Sequence, residues 1–246
     1  MQKVSLGLVH ATPVTFTESI IQIMRMTKER RPHIVVTPNI AHVWQAKDNP
    51  ALAQAYQLSN FSPPDGCPVV EALRLLSDVE EIERVTGADL LIKLCELPLV
   101  VSFVGGRADS AELAAARLCR RNPQLRIGVV EKAPNDELME AELRTALIRR
   151  VVESDSDIVF VGLGVPKQEQ LGVELFQVMD RGVVICVGAA IEFAAGTLQR
   201  APEWYAKARL EWLHRLSSEP RKLARRYILS APYFLRIVAQ EMYKLR

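Results

Sequence analysis

The sequence predicts an α/β protein: a mainly parallel sheet sandwiched by helices, with a basic helical appendage at the carboxyl end. Three observations carry that prediction. Short β-branched runs alternate with longer helical patterns, which is the signature of strand-helix-strand units. Several of those runs are apolar throughout, as strands covered on both faces must be. The charge also changes sign late in the chain. Residues 207–246 hold ten Lys and Arg against three Glu, for +7, whereas residues 1–206 carry −5. We therefore divide the chain into a core, 1–206, and an appendage, 207–246.

Taken in order, the predicted strands are "VSLGLVH" (Val4–His10), "HIVVTPN" (His33–Asn39) and "LVVSFVGG" (Leu99–Gly106). "LRIGVV" (Leu125–Val130), "DIVFVGLG" (Asp157–Gly164) and "GVVICVGAA" (Gly182–Ala190) follow. Helical patterns fill Ser110–Arg121, Asp136–Glu153 and Lys167–Arg181 between them. Three strands end in glycine turns: at Gly105-Gly106, at Gly162 to Gly164, and at Gly188. In a parallel sheet those ends share one edge, where ligands bind. Glycine admits a ligand close to the backbone, and the next helix offers N–H groups to a phosphate, although glycine also serves as a plain strand-to-helix turn. In "GLGVPKQEQ" (Gly162–Gln170), Pro166 suits a first helical turn and sets Lys167 and Gln168 at the helix entrance.

"SPPDGCPVV" (Ser62–Val70) places Asp65 between rigid Pro64 and permissive Gly66, just before an apolar helical run. Pro-Asp-Gly is turn chemistry, and it is equally a way to hold a general base still. Asp155-Ser156-Asp157 resembles a metal-binding DxD, but it precedes its strand. Five strand residues at about 3.3 Å each put it about 16 Å from the glycine edge. Both aspartates read as solvated turn residues.

Several chemistries find no motif. The four histidines lack metal-ligand spacing, and neither GxxxxGK[ST] nor GxGxxG occurs. Cys67, Cys95, Cys119 and Cys186 form no CxxC pair, and no secretory leader is apparent, so reduced thiols in the cytoplasm are expected. No apolar run approaches the roughly 20 residues that span a bilayer.

An ordered set of stretches resembles the WecG/TagA/CpsF glycosyltransferase family: "VVTPNIAHV" (35–43), "PPDGCPVV" (63–70), "ERVTGADLL" (83–91), "FVGGR" (103–107), "VGLGVPKQE" (161–169), "VGAAIEFAAGTLQRAPEW" (187–204) and "LEWLHRLSSEPRKLARRY" (210–227). The resemblance implies bacterial enzymes that move a sugar from a UDP-sugar to a polyprenyl-diphosphate-linked sugar with inversion. It assigns Asp65 as general base and places Thr37, Asn39, Arg84 and Gln168 in the same pocket. It further implies that the basic appendage meets the membrane and helps close the site, with Arg215, Arg221 and Arg225 at the matching positions. Together with the glycine turns, the expected substrate-binding set is Thr37, Asn39, Arg84, Gly105, Gly106, Gly164, Gln168, Glu192, Arg215, Arg221 and Arg225. Glu192 stands where the family commonly has aspartate, at a position expected near the uracil, and "VVEKAPNDE" (129–137) lacks the family's aromatic ring.

No metal or other cofactor is expected, so glycine-loop amides, helix N-termini and arginines must stabilise the departing diphosphate. The appendage sequence from Glu219 suits lying in a membrane interface, with Leu223, Tyr227, Phe234 and Leu235 as its apolar contacts and Pro232 as a break or kink. The expected location is the inner face of the plasma membrane, with a homo-oligomer left open. The rival readings are a nucleotide-binding α/β enzyme of other chemistry and a phosphate- or nucleic-acid-binding module. The second lacks a recognition motif and has an acidic body.

Overall fold

A computed structural model of the chain describes residues 2–133, 138, 140–199 and 220–245, with side chains from 228 onward in the last segment. Its centre is a five-stranded, wholly parallel sheet. The strands are β3 (Pro32–Val36), β4 (Val100–Gly105), β5 (Arg126–Glu131), β6 (Ile158–Gly162) and β7 (Gly182–Cys186), in the order β3-β7-β6-β4-β5. Alternate residues feed opposite faces, as the two-residue period of a strand requires. Val35, Phe103, Ile158, Phe160, Val183 and Ile185 pack under α1 (Phe16–Met26), α5 (Gly87–Leu94) and α6 (Ser110–Arg121). Ile34, Val36, Val104, Val159, Val161, Val184 and Cys186 face the other side. There they meet α3 (Pro50–Leu58), α7 (Ala141–Glu153) and α8 (Lys167–Val178). Each strand is thus covered twice, and the sandwich expected from the sequence is present.

Chain order reverses between β4 and β6. Helix α6 leads from β4 outward to β5, whereas α8 leads from β6 outward to β7 on the other side. The crevice that opens at such a reversal is the general ligand position in open parallel sheets. Strands β4, β6 and β7, whose glycine endings stood out in the sequence, are direct neighbours there.

Three expectations need correction. Val4–His10 is not one strand: Gly7, at φ +73°, turns the chain, and β1 (Val4–Leu6) pairs antiparallel with β2 (Val9–Ala11) in a separate two-stranded sheet. Asp155 and Asp157 are more than solvated turn residues. The Arg181 guanidinium reaches both, at 2.7 and 3.0 Å, and the second oxygen of Asp157 accepts from Val100 N–H at 2.9 Å. They lock the amino-terminal edge of the sheet, away from the glycine ends of the strands.

The third correction concerns α10 (Pro220–Lys244), which runs through Pro232 without interruption. Phe234 is only 4% exposed: with Ile237 and Val238 it enters the core beside Val4, Leu6, Val36 and Val43. Phe234 therefore faces protein rather than lipid, whereas Leu235 is 67% exposed. Leu223 and Tyr227 lie outside the described side chains. Helix α10 packs on β1, on α4 (Cys67–Leu76) and above all on α2 (Ile40–Gln45). Among the described residues no helix is long and apolar enough to cross a membrane.

Phe103 and Phe160 stack at 5.7 Å between adjacent strands, both fully buried. Phe160→Ala should cost about 3–5 kcal/mol in urea unfolding, because a rigid sheet cannot collapse into the void. Leu113→Ala, at an exposed position on α6, should stay within about 0.5 kcal/mol.

Candidate active site

Three loops that are distant in sequence are stapled together beside the end of β3. The segment Asn60–Ser62 runs along β3, with Phe61 paired parallel to Val35. Asn60 N–H donates to Ile34 O at 2.9 Å, and Val36 N–H donates to Phe61 O at 3.2 Å. Two further backbone bonds follow. Asp65 N–H donates to Pro38 O at 2.9 Å, and Val85 N–H donates to Pro64 O at 2.7 Å. Thr37-Pro38-Asn39, Pro64-Asp65-Gly66 and Arg84-Val85 are thereby brought side by side.

Each loop is set by the helix that follows it. Asn39 caps α2, its Oδ1 accepting from Ala41 and His42 N–H at 3.0 and 3.2 Å. That cap spends the amide oxygen and orients the side chain, so Asn39 first serves the fold of its own loop. Gly66 has φ +106°, which few other residues would adopt, and Pro68 opens α4 where a missing N–H costs nothing. Thr86 caps α5 by accepting from Asp89 N–H at 3.1 Å. Thr37 is buried, and Asp65 and Arg84 are half-buried. The turn and the candidate base are the same object.

The glycines divide into two kinds. A Cβ on Gly105 would lie 2.5 Å from Gly162 O, and one on Gly162 would lie 2.7 Å from Gly188 O. A Cβ on Gly106 would press on Ile191 at 3.0 Å, and Gly106 N–H donates to Gly162 O at 2.9 Å. These residues let neighbouring strand ends pack against one another. Gly164 (φ +74°) and Gly188 (φ +58°) instead have nothing within 4 Å of a Cβ. Open backbone at the crevice therefore belongs to the loops after β6 and β7.

Gln168 bridges those two loops. Only 3% exposed, it accepts from Gly188 N–H at 2.9 Å through Oε1 and donates from Nε2 to Glu169 Oε1 at 2.7 Å. Glu169, fully buried in the first turn of α8, keeps a second oxygen, Oε2, that no donor reaches among the described residues. Burial pushes its carboxyl up to about 7, against the pull of the Gln168 hydrogen bond. Beside it lies the wholly buried Tyr56 of α3, whose hydroxyl is 2.6 Å from His42 Nδ1. Burial first, then the charges of Glu169, Cys186 and Asp65, push the Tyr56 phenol well above its usual range. One phenol thus senses both Asp65 and Glu169. Glu192, in the first turn of α9 (Ala190–Ala195), is also buried, and no hydrogen-bond partner reaches its Oε2 among the described residues.

Of the residues expected from sequence, Thr37, Asn39, Asp65 and Arg84 share the stapled cluster. Gly164 and Gln168 lie along the same carboxyl edge of the sheet, and Gly105 and Gly106 take packing roles there. Arg215 and the side chains of Arg221 and Arg225 lie outside the described residues. Glu169, Tyr56 and His42 were not singled out from the sequence. Glu169 was accessible, since it shares a helical stripe with Gly172, Val173 and Phe176, and a carboxylate on a core-facing stripe is anomalous.

The fold defines an α/β protein whose parallel sheet carries, along its carboxyl edge, the stapled Asp65 turn and the open backbone of Gly164 and Gly188. A family model described as "Glycosyl transferase WecG/TagA/CpsF family" matches residues 4–246. The chain belongs to that family, and it is a glycosyltransferase.

The raised carboxyl of Glu169 makes stability depend on pH. The folded chain keeps its proton up to about pH 7, whereas the unfolded chain releases it near 4.5. The favourable contribution of the protonated form is complete below 4.5 and is lost as pH rises through 7. The lost contribution is on the order of 3 kcal/mol. His10, half-buried and lowered to about 4 by that burial and by the charge of Lys3, acts in the opposite direction, because its unfolded form takes up a proton as pH falls below 6.5. The informative measurement is therefore the difference in urea-unfolding free energy between Glu169→Gln and wild type. That difference should move in favour of the variant between pH 5 and 8. A pH-independent difference would mean that Glu169 does not titrate in this range.

Proposed function

We propose that the protein transfers a glycosyl group, with inversion, from a UDP-sugar to a polyprenyl-diphosphate-linked sugar in cell-surface polysaccharide synthesis, with Asp65 as general base. The observation that carries this reading is the pair of backbone bonds that pins Asp65 between the Thr37–Asn39 and Arg84 loops. A base must be held within reach of the hydroxyl it deprotonates, and a carboxylate on a rigid turn meets that need. The Asp65 carboxylate takes the acceptor hydroxyl proton as the oxygen attacks the anomeric carbon. The bond from that carbon to the donor phosphate breaks, and UDP leaves with the bonding electrons. Arg84, the first turn of α8 and the open backbone at Gly164 and Gly188 are suited to receive the diphosphate.

No metal is invoked in this scheme. The paired aspartates of the sequence are engaged by Arg181 at the far edge of the sheet. Helix α10 supports contact with an anionic membrane. Outside its buried stripe it exposes Ile228, Leu229, Leu235 and Tyr243, with Arg236 and Lys244 on the same helix and exposed Leu245 just beyond it. Because α10 rests on α2 and α4, whose N-caps are Asn39 and Gly66, docking there would also bring the membrane surface toward the candidate site.

Asp65→Asn should lower turnover with a UDP-sugar panel and a lipid-diphosphate acceptor analogue by about 10²–10⁴-fold, the usual worth of a general base. UDP affinity in calorimetry should change little and should survive a chelator. Intact turnover with a lowered melting temperature would return Asp65 to a plain turn, and binding abolished by chelator would overturn the metal-free scheme.

For the membrane, cosedimentation with vesicles containing anionic lipid should weaken as salt rises, since each surface cation contributes about 1 kcal/mol and is screened over a Debye length. Arg236→Glu with Lys244→Glu should weaken it further without unfolding the protein. Salt-insensitive binding would overturn the electrostatic part of this reading, and no binding would make the exposed face an ordinary solvated surface.

A further inference from the structure

Gln168 lines the crevice edge in sequence terms, yet both polar ends of its side chain are engaged by protein. Its carbonyl oxygen holds the backbone N–H of Gly188, and its amide N–H₂ is turned toward Glu169. An amide between a fixed donor and a fixed acceptor has one orientation, because the reverse would set N–H against N–H and oxygen against oxygen. Glu169 supplies the acceptor. The carboxyl is thus what decides which way Gln168 points, and Gln168 is what ties the turn after β7 to the start of α8. Gly188, at φ +58° with open space beside it, is where a ligand can approach the backbone.

We propose that Glu169 is a positioning residue for the donor diphosphate: acting through Gln168, it fixes the Gly188 turn that forms one wall of the pocket. This rests on the UDP-sugar reading given above. Burying a carboxyl with one oxygen partnerless is costly, and a residue that served packing alone would be better apolar. The orphan oxygen also indicates the charge state of the brace. Burial favours the neutral acid, and among the described residues only the Gln168 amide and a backbone N–H favour the charged form. Tyr56 comes from α3 and Cys186 from β7, both with elevated pKa, while Asp65 faces the same phenol from the loop before α4. His42 of α2 is bonded to Tyr56, and Arg144 of α7 is paired with Glu174 further along α8. Strands β3 and β6 present Ile34, Val36, Val159 and Val161, which are apolar. Lys167, the adjacent residue of α8, is exposed. A diphosphate in front of α8 disfavours a second negative charge behind it, so binding and protonation of Glu169 reinforce one another.

The test uses UDP as the probe, with calorimetry from pH 6.5 to 8.5 and amide hydrogen exchange at Gly188. Glu169→Gln keeps an acceptor for Gln168 without a titrating group, so it should bind within about twofold of wild type at pH 6.5. Wild-type affinity, as a ratio to that of the variant, should then fall at least threefold by pH 8. One proton per site limits the fall to tenfold per pH unit. Taking the ratio removes the titration of the UDP phosphate and of every group that the two proteins share. Glu169→Ala loses the acceptor, and it should bind UDP at least tenfold more weakly at every pH, with faster exchange at Gly188 that Glu169→Gln restores. Parallel wild-type and Glu169→Gln profiles would overturn the role, as would wild-type-like UDP binding by Glu169→Ala. Absence of UDP binding by wild type itself would instead remove the donor reading, and this role with it.

Discussion

Everything at the crevice depends on two backbone hydrogen bonds, from Asp65 N–H to Pro38 O and from Val85 N–H to Pro64 O. They join three loops that otherwise belong to separate strand-helix units. Backbone bonds suit this task because they fix the position of each loop without using any side chain. Prolines 38 and 64 donate nothing and offer only their carbonyls, which gives each bond a single direction. Pro63 and Pro64 also narrow the conformations open to the unfolded loop, which lowers the entropy lost in ordering it.

The opposite wall is built on another principle. There the chain removes side chains rather than pinning them: Gly105, Gly106 and Gly162 let strand ends touch, and Gly164 and Gly188 leave backbone uncovered. The Gln168–Glu169 pair restores rigidity to a wall that glycine alone would leave loose. A buried amide and carboxyl cost stability, as strained or polar functional sites generally do, and the large apolar core on both sheet faces offsets that cost.

Much of this was legible in the sequence. Strand-helix alternation with doubly apolar runs announced the parallel sheet, and the glycine endings located the carboxyl edge of its central strands. Period and composition are local signals, and they held wherever local forces decide. They failed where distant contacts decide. Nothing within Val4–His10 says that Gly7 reverses the chain, because its reason is long-range: a Cβ there would meet Ile237 of α10 at 3.4 Å. Asp155 and Asp157 looked solvated because Arg181, their partner, is more than twenty residues away. Likewise Gly105 and Gly164 look alike as letters, and only the neighbouring strand separates a packing glycine from an open one. The Asp65 turn was legible as a turn, whereas its attachment to Pro38 was not.

The seating of Phe234, Ile237 and Val238 against Val4 and Leu6 has a consequence for how the molecule is made. The first strands and the last helix complete one hydrophobic cluster, so contacts there span nearly the full sequence and close late. During synthesis the hairpin β1–β2 and helix α2 must wait with an uncovered apolar face until residues 234–238 have emerged. A nascent chain in that interval has a sheet that can already form and a site-bearing flank that cannot be finished. Completion of that flank is thereby deferred until residues 234–238 have been made, when the basic segment preceding Phe234 already exists.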